Sequence, residues 1–216
     1  MDIAIIGAGN VGRSLATAFV RAGHQVTIAS REPEDAASVA SATGATTASS
    51  NLEAASASSI IVFAVPFTSA PDIAAEIGDA IPGKVVIDAS NRMSFGPEGP
   101  AIDTVTSNAE ELAALLPSAR VVKAFNTLFA SHQAEPIADG IQLDGYVAAD
   151  DDAARATVLE LVESIGLRPV DVGPLARARQ LEGLAFLNIT LNIANGGSWQ
   201  SGWKLVGAPD PMAVAA

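Results

Sequence analysis

Gly7, Gly9 and Gly12 stand at Gly-x-Gly-x-x-Gly spacing near the start of the 216-residue chain. Bare backbone at this spacing can do what side chains would prevent. Gly7 permits a tight turn, Gly9 lets a pyrophosphate approach the main chain, and Gly12 lets a helix pack closely on a strand. With Ala8, Asn10 and Val11 they form a candidate phosphate loop, because a helix opening there aims its unpaired N–H groups and dipole at an anion. After the next apolar run come Ser30 and Arg31. An acidic residue there would bond a ribose 2′-hydroxyl and repel a 2′-phosphate; a hydroxyl and a planar guanidinium suit the phosphate. The cofactor read from these residues is NADP(H), although Glu32, Glu34 and Asp35 weaken the positive field. Val65, Pro66, Ala89 and Ser90, at the ends of two later apolar runs, are candidate walls of the cofactor cleft. On the substrate side the candidates are Asn126, which could bond a carboxamide or the hydride acceptor, and Trp199, a ligand platform or a packing contact.

Other reactive side chains are few. There is no cysteine, so thiolate and disulfide chemistry are excluded. His24 and His132 are isolated, and no His/Asp/Glu group has ligand spacing, so no metal site is expected. His24 reads as part of the turn before the second strand and His132 as a solvated loop residue. Lys123 should point off its strand to solvent or an ion pair. Tyr146 lies in mid-strand, a poor place for a proton donor. No catalytic side chain is expected, because two stacked rings can exchange hydride through orientation while the cofactors carry the chemistry.

The elements that must hold these residues follow from pattern. Ile3–Ile6, a continuous apolar run, reads as a strand buried on both faces. The helix 10–22 presents Val11, Leu15, Ala18, Phe19 and Ala22 on one side, and Gly23 ends it. Strands are expected at 25–29, 45–47, 60–65, 84–88, 120–124, 142–148 and 167–171, the last at an edge because it carries Pro169. Helices alternate with them at 33–42, 51–57 (capped by Asn51), 70–77, 108–116 (capped by Asn108) and 150–165. Residues 94–107, rich in glycine and proline, read as a long loop, and 175–194 as a long helix. The fold class is α/β, a Rossmann-type doubly wound, mostly parallel sheet with a small C-terminal helical extension. The expected divisions are 1–172 for the nucleotide-binding part, 173–206 for a helix and tail completing the acceptor cleft or a dimer interface, and 207–216 as a disordered tail.

Composition narrows the partners. A net charge of −12 opposes nucleic acid. No apolar run reaches the ~18 residues needed to span a bilayer. Met1 lies directly against the first strand without a leader pattern. The expectation is a cytoplasmic protein acting on a small-molecule redox partner, with no nucleic acid, no membrane and a homodimer formed through the apolar face of the long helix.

The chain resembles the NADPH-dependent coenzyme F420 reductase family, and is similar to the reductase domain of the STEAP metalloreductases. The likeness rests on Ile-Gly-Ala-Gly-Asn-Val-Gly (6–12), Gly23-His24, Ser30-Arg31, Ala64-Val65-Pro66, Val122-Lys123-Ala124-Phe125-Asn126-Thr127, Gly166–Pro169 with Asp171–Leu175, and the tail 192–205. It implies NADP with its 2′-phosphate on Ser30 and Arg31, its pyrophosphate over Ala8–Val11, and the nicotinamide bordered by Val65-Pro66. It also implies coenzyme F420, or a flavin-like molecule, as the co-substrate. The stretch 128–142 and the Trp-bearing tail do not match a deazaflavin-site pattern. Two other readings stay open: a small carbonyl or imine reductase, against which stand the 45 residues left after Asp171, and a non-catalytic NADP(H) sensor.

Overall fold

The structure, a computed structural model, describes residues 1–207. Its elements are β1 (Asp2–Ile6), α1 (Asn10–Arg21), β2 (Gln25–Ala29), α2 (Pro33–Thr43), β3 (Thr46–Thr47), α3 (Asn51–Ala57), β4 (Ile60–Phe63), α4 (Ala70–Ile77), β5 (Val85–Asp88), β6 (Met93–Gly96), β7 (Gly99–Ile102), α5 (Asn108–Leu115), β8 (Arg120–Lys123), α6 (Ala130–Ala134), β9 (Ile137–Ala138), β10 (Ile141–Gln142), β11 (Asp144–Ala149), α7 (Asp152–Ser164), β12 (Arg168–Gly173) and α8 (Ala178–Ala194). The expected disordered tail lies, from residue 208, outside the described residues.

Eight strands form one sheet in the order β12-β11-β8-β5-β4-β1-β2-β3. Within it β11 runs antiparallel to β8, and the other neighbours are parallel. The sheet is the doubly wound one expected, with Pro169 on an edge strand. Strand order reverses between β1 and β4, which opens a crevice beyond their carboxyl ends, where open α/β folds bind ligands. The central strands are apolar on both sides. Ile3 and Ile5 pack with Leu15 and Phe19 of α1 on one face, while Ala4 and Ile6 pack with Ile73 and Ile77 of α4 on the other.

Three expectations are corrected. The caps of α3 and α5 are Ser50 and Ser107, one residue before the asparagines named above. Each hydroxyl accepts the N–H three residues on, from Glu53 and Glu110. Both fit the Ser-x-x-Glu pattern of a capping box, with Glu53 accepting from Ser49 and Glu110 from the Ser107 hydroxyl, and the Asn side chains thereby remain available for other bonds. Residues 94–107 are not all loop: β6 and β7 pair as an antiparallel hairpin turning at Pro97-Glu98. His132 is not solvated but 4% exposed. Of the two outcomes expected for Lys123 the ion pair holds, in a fully buried cluster.

The helix α8 also divides its side chains unexpectedly. Leu181, Ala185, Asn188 and Asn192 face inward, and Glu182 is buried with them, while Leu187 and Leu191 are half exposed. Its buried face is therefore part apolar and part polar. The tail beyond it is tied down at Asp144. That carboxylate binds Arg168, Lys204 and the Leu205 N–H. Burial pushes the Asp144 carboxyl up, but these donors outweigh it and hold it below its usual range. The neighbouring Tyr146 phenol, bonded to Asp144, is pushed up to about 12 by burial and by that negative charge.

Candidate active site

The turn after β1 is shaped by contacts that only glycine allows. Gly7 has φ +116°, and a Cβ there would lie 2.4 Å from the Ala64 carbonyl oxygen. A Cβ on Gly12 would lie 1.9 Å from the Gly7 carbonyl oxygen, so α1 crosses its own entry turn in direct backbone contact. Gly9, by contrast, has open space at its Cβ position. It is the N-cap of α1, no side chain caps the helix, and the first intrahelical bond runs from Arg13 N–H to the Gly9 carbonyl. The preceding N–H groups of the first turn have no intrahelical partner, and Gly9, Asn10 and Val11 line a cavity of about 310 Å³. An open backbone approach, uncapped amides and a helix dipole are what a diphosphate requires, so the residues present fit a dinucleotide.

The same cavity gathers Val65, Pro66, Ala89 and Ser90, together with Ala64, Phe67 and Asn91. Gly7, Ala8 and Gly12 stand behind it as scaffold. Ser30 and Arg31 follow β2 outside this cavity; the Arg31 side chain is 92% exposed and its Nε lies 3.3 Å from Glu32. Any phosphate there would meet a solvated guanidinium that already has a neighbouring carboxylate.

Two further cavities adjoin the first. One, of about 170 Å³, shares Val11 and Asn91 with it and is lined also by Asn126–Ala130, Ala185, Asn188 and Ile189. The other, of about 400 Å³, shares Pro66, Phe67 and Asn91 and extends under the β6–β7 hairpin, past Arg92, Ser94 and Asp103. Asn91 is thus common to all three. Its amide accepts from Asn126 Nδ2 at 2.9 Å, and its own Nδ2 donates to the Asn126 carbonyl at 3.2 Å. The Asn126 Oδ1 is buried and lacks a hydrogen-bond partner. The Gln133 Oε1 is in the same state; a buried acceptor left unmet is costly.

Asn126 reaches this position through an unusual backbone. Phe125, 1% exposed, has φ 65°, in the left-handed region rarely entered by an aromatic residue. Its ring stacks edge-on against Phe19 with centroids 5.7 Å apart, and its carbonyl accepts from Gln133 Nε2. Packing against α1 and a bond from α6 hold the bend that turns the chain into the cleft. Nothing in the residue types at 124–127 signals it.

Trp199, also at positive φ (57°), stacks edge-on at 5.2 Å on Phe129, which lines the smaller cavity. Trp199 itself stands behind that ring rather than on the cavity wall. His132 is held between the Glu135 carbonyl (3.0 Å) and the Gln200 carbonyl (2.6 Å), fastening α6 to the tail. His24 lies in the turn before β2, as expected, between the N-terminus and Ser164; burial lowers its pKa. Lys123 Nζ donates to Asp88 and Glu182, each at 2.7 Å, beneath the Ser90 turn. The side chains meeting at the junction of the cavities are amides and a hydroxyl, whereas the lysine, tyrosine and histidine nearby are bonded elsewhere.

Comparison with known proteins agrees with this arrangement. Residues 2–92 match the family model of coenzyme F420-dependent NADP oxidoreductases. The F420-dependent NADP reductase of Methanothermobacter thermautotrophicus is 34% identical over 90% of this chain and 90% of its own. The rat metalloreductase STEAP3 is 33% identical over 84% of this chain but only 36% of its own, so the chain spans about a third of that protein's length. A crystal structure from Arthrobacter sp. FB24, described as a presumed F420-dependent NADP-reductase, superposes with a TM-score of 0.85 at 29% identity, covering 95% of this chain and 99% of that one. With its glycine turn, its doubly wound sheet and its agreement with the archaeal enzyme along nearly the whole of both chains, the protein belongs to the family of coenzyme F420-dependent NADP oxidoreductases.

Proposed function

We propose that this protein transfers a hydride between NADP(H) and coenzyme F420 or a flavin-like acceptor. The observation that carries the reading is the junction at Asn91, where the cavity over the uncapped α1 terminus adjoins a second one lined by Asn126. Asn10 and Val11 supply backbone N–H groups to the pyrophosphate, Val65 and Pro66 border the nicotinamide, and Ala89 and Ser90 form the floor. Ser30 and Arg31 take the 2′-phosphate. The nicotinamide, when bound, supplies the hydride at its C4, and the chain's task is to hold two planar rings in register and keep water out. Asn126 Oδ1 accepts an N–H from the carboxamide or from the acceptor ring, and the Phe129–Trp199 pair closes the far wall. The half-exposed Leu187 and Leu191 of α8 pair with those of a second copy; sedimentation showing a monomer at micromolar concentration would remove that element alone.

The test is an absorbance assay of NADPH with F420, with FMN and with a panel of carbonyl and imine compounds. Reduction of F420 or FMN without carbonyl turnover supports the proposal. Oxidation of NADPH by carbonyls alone would replace it with the small-reductase reading, and tight NADPH binding with no turnover would point to a sensor.

A further inference from the structure

Lys123, Asp88 and Glu182 are each no more than 1% exposed and form a closed ion cluster that lines none of the three cavities. Lys123 Nζ uses three donors, on Asp88 Oδ2 (2.7 Å), Glu182 Oε1 (2.7 Å) and the Ser90 carbonyl (2.6 Å). Glu182 also accepts the Asn108 N–H on Oε1 (2.9 Å) and the Arg92 N–H on Oε2 (3.0 Å). Asp88 Oδ1 accepts both the N–H and the hydroxyl of Ser90, and that hydroxyl receives Asn108 Nδ2. The groups so engaged belong to β5, β8, α5, α8 and the turn 89–92.

Stability alone does not account for such a cluster. Replacing buried ion pairs by well-packed apolar residues is often neutral or stabilising. Here two carboxylates face one ammonium, and burial pushes the Glu182 carboxyl up. What the arrangement does achieve is to pin the residues on either side of Asn91: Ser90 by its N–H, carbonyl and hydroxyl, and Arg92 by its N–H. Asn91 is the residue shared by all three cavities.

We infer that Lys123 and Glu182 are positioning residues for hydride transfer: through Ser90 and Arg92 they set Asn91, and with it Asn126, at the junction of the cofactor and acceptor cavities. This rests on the proposed two-ring reading. Neither residue touches a ligand. They act on the distance and angle between the rings, to which the rate is steeply sensitive, a misplacement of about 1 Å costing roughly a hundredfold. Glu182 further ties α8, which walls the acceptor cavity, to the strand edge beneath the cofactor, so both halves of the site are registered against one ammonium.

The deciding variant is Glu182→Gln, which keeps volume but turns one acceptor oxygen into a donor. In one amide orientation it confronts the Arg92 N–H, and in the other it loses Lys123 and Asn108; either way the turn is released. NADPH affinity should stay within about twofold, because the α1 terminus is untouched, while kcat falls by about tenfold or more. The isotope effect with NADPH deuterated at C4 should rise as the hydride step becomes slower. The emission of bound NADPH, which needs no acceptor, should move toward that of the free dinucleotide. Asn91→Ala, which leaves the ion cluster intact and removes only the two bonds to Asn126, should reproduce the kcat loss, and it serves if Glu182→Gln folds poorly. A lower Tm with wild-type kcat, isotope effect and emission in Glu182→Gln would overturn the inference, as would equal losses of NADPH affinity and kcat, or full activity in Asn91→Ala. If the wild-type protein passes no hydride to F420 or FMN, the two-ring reading fails on that result, and the emission shift still decides whether the cluster sets Asn91.

Discussion

At the β1–α1 end of the cleft what a ligand meets is main chain: the N–H groups of an uncapped helix, reached over Gly9 and supported by Gly7 and Gly12 in backbone-to-backbone contact. At the β5–β8–α8 end it meets side-chain amides, Asn91 and Asn126, aligned by a buried ammonium and two carboxylates and by the strained Phe125. The first end needs no charged side chain, because the helix provides the field and the glycines provide the approach. The second is ordered by buried side-chain charge. Main chain suits an invariant diphosphate. Placed side chains suit an acceptor whose ring must be oriented.

The comparison breaks most easily at the glycines. Gly12→Ala puts a Cβ onto the Gly7 carbonyl, neither partner can yield, and a loss of about 4 kcal/mol or more, or failure to fold, is expected in chemical denaturation. Gly9→Ala has room and should leave Tm unchanged while weakening NADPH binding. If the two variants behave alike, the main-chain account of the first end is wrong. At the other end, Lys123→Met leaves two buried carboxylates facing each other and should cost about 3–5 kcal/mol by denaturant titration. A near-neutral result would mean that water reaches the cluster.

Asp144, away from both ends, separates ion pairs that hold the tail from those that hold the site. Asp144→Asn should cost about 2 kcal/mol at neutral pH, the range for hydrogen bonds to a charged group. Because its folded pKa lies below the ordinary 3.8, the stabilisation is complete above that value and is lost as pH falls through the folded pKa. The gap between wild-type and variant unfolding curves should therefore close on acidification, with kcat at neutral pH little changed. The smallest effect belongs to Arg31→Ala: its exposed guanidinium should contribute about 1.4 kcal/mol, a tenfold rise in KM for NADPH with that for NADH unaltered. Equal rises for both would dissociate Arg31 from the 2′-phosphate.

Much of the frame was legible along the chain. The apolar runs at Ile3–Ile6 and Ile60–Phe63, the stops at Gly23 and Gly166 and the acidic start of α7 are local signals, and each acts on the backbone within a turn or two of itself. The caps of α3 and α5 were displaced by one residue because Ser and Asn are both good caps and stood adjacent; the glutamates at 53 and 110 were the discriminating signal. The hairpin at 93–102 was hidden by Gly96, Pro97, Gly99 and Pro100, which mark turns more strongly than they mark strands.

The glycine turn was readable because all its parts lie within residues 6–12 and its shape is that of bare backbone. Lys123 and Glu182 were not, since 59 residues separate them and only the winding of β8 and α8 onto the same sheet edge brings their charges together. Nor does any residue type announce that Phe125 takes positive φ, which packing against Phe19 and the bond from Gln133 impose from outside. Sequence alone settled where the backbone could bend and where helix and strand could pack closely, because those preferences are intrinsic to each residue. Tertiary structure settled which charges meet and which amide oxygens are left without a donor, those of Asn126 and Gln133, because burial and pairing exist only once distant segments share a core.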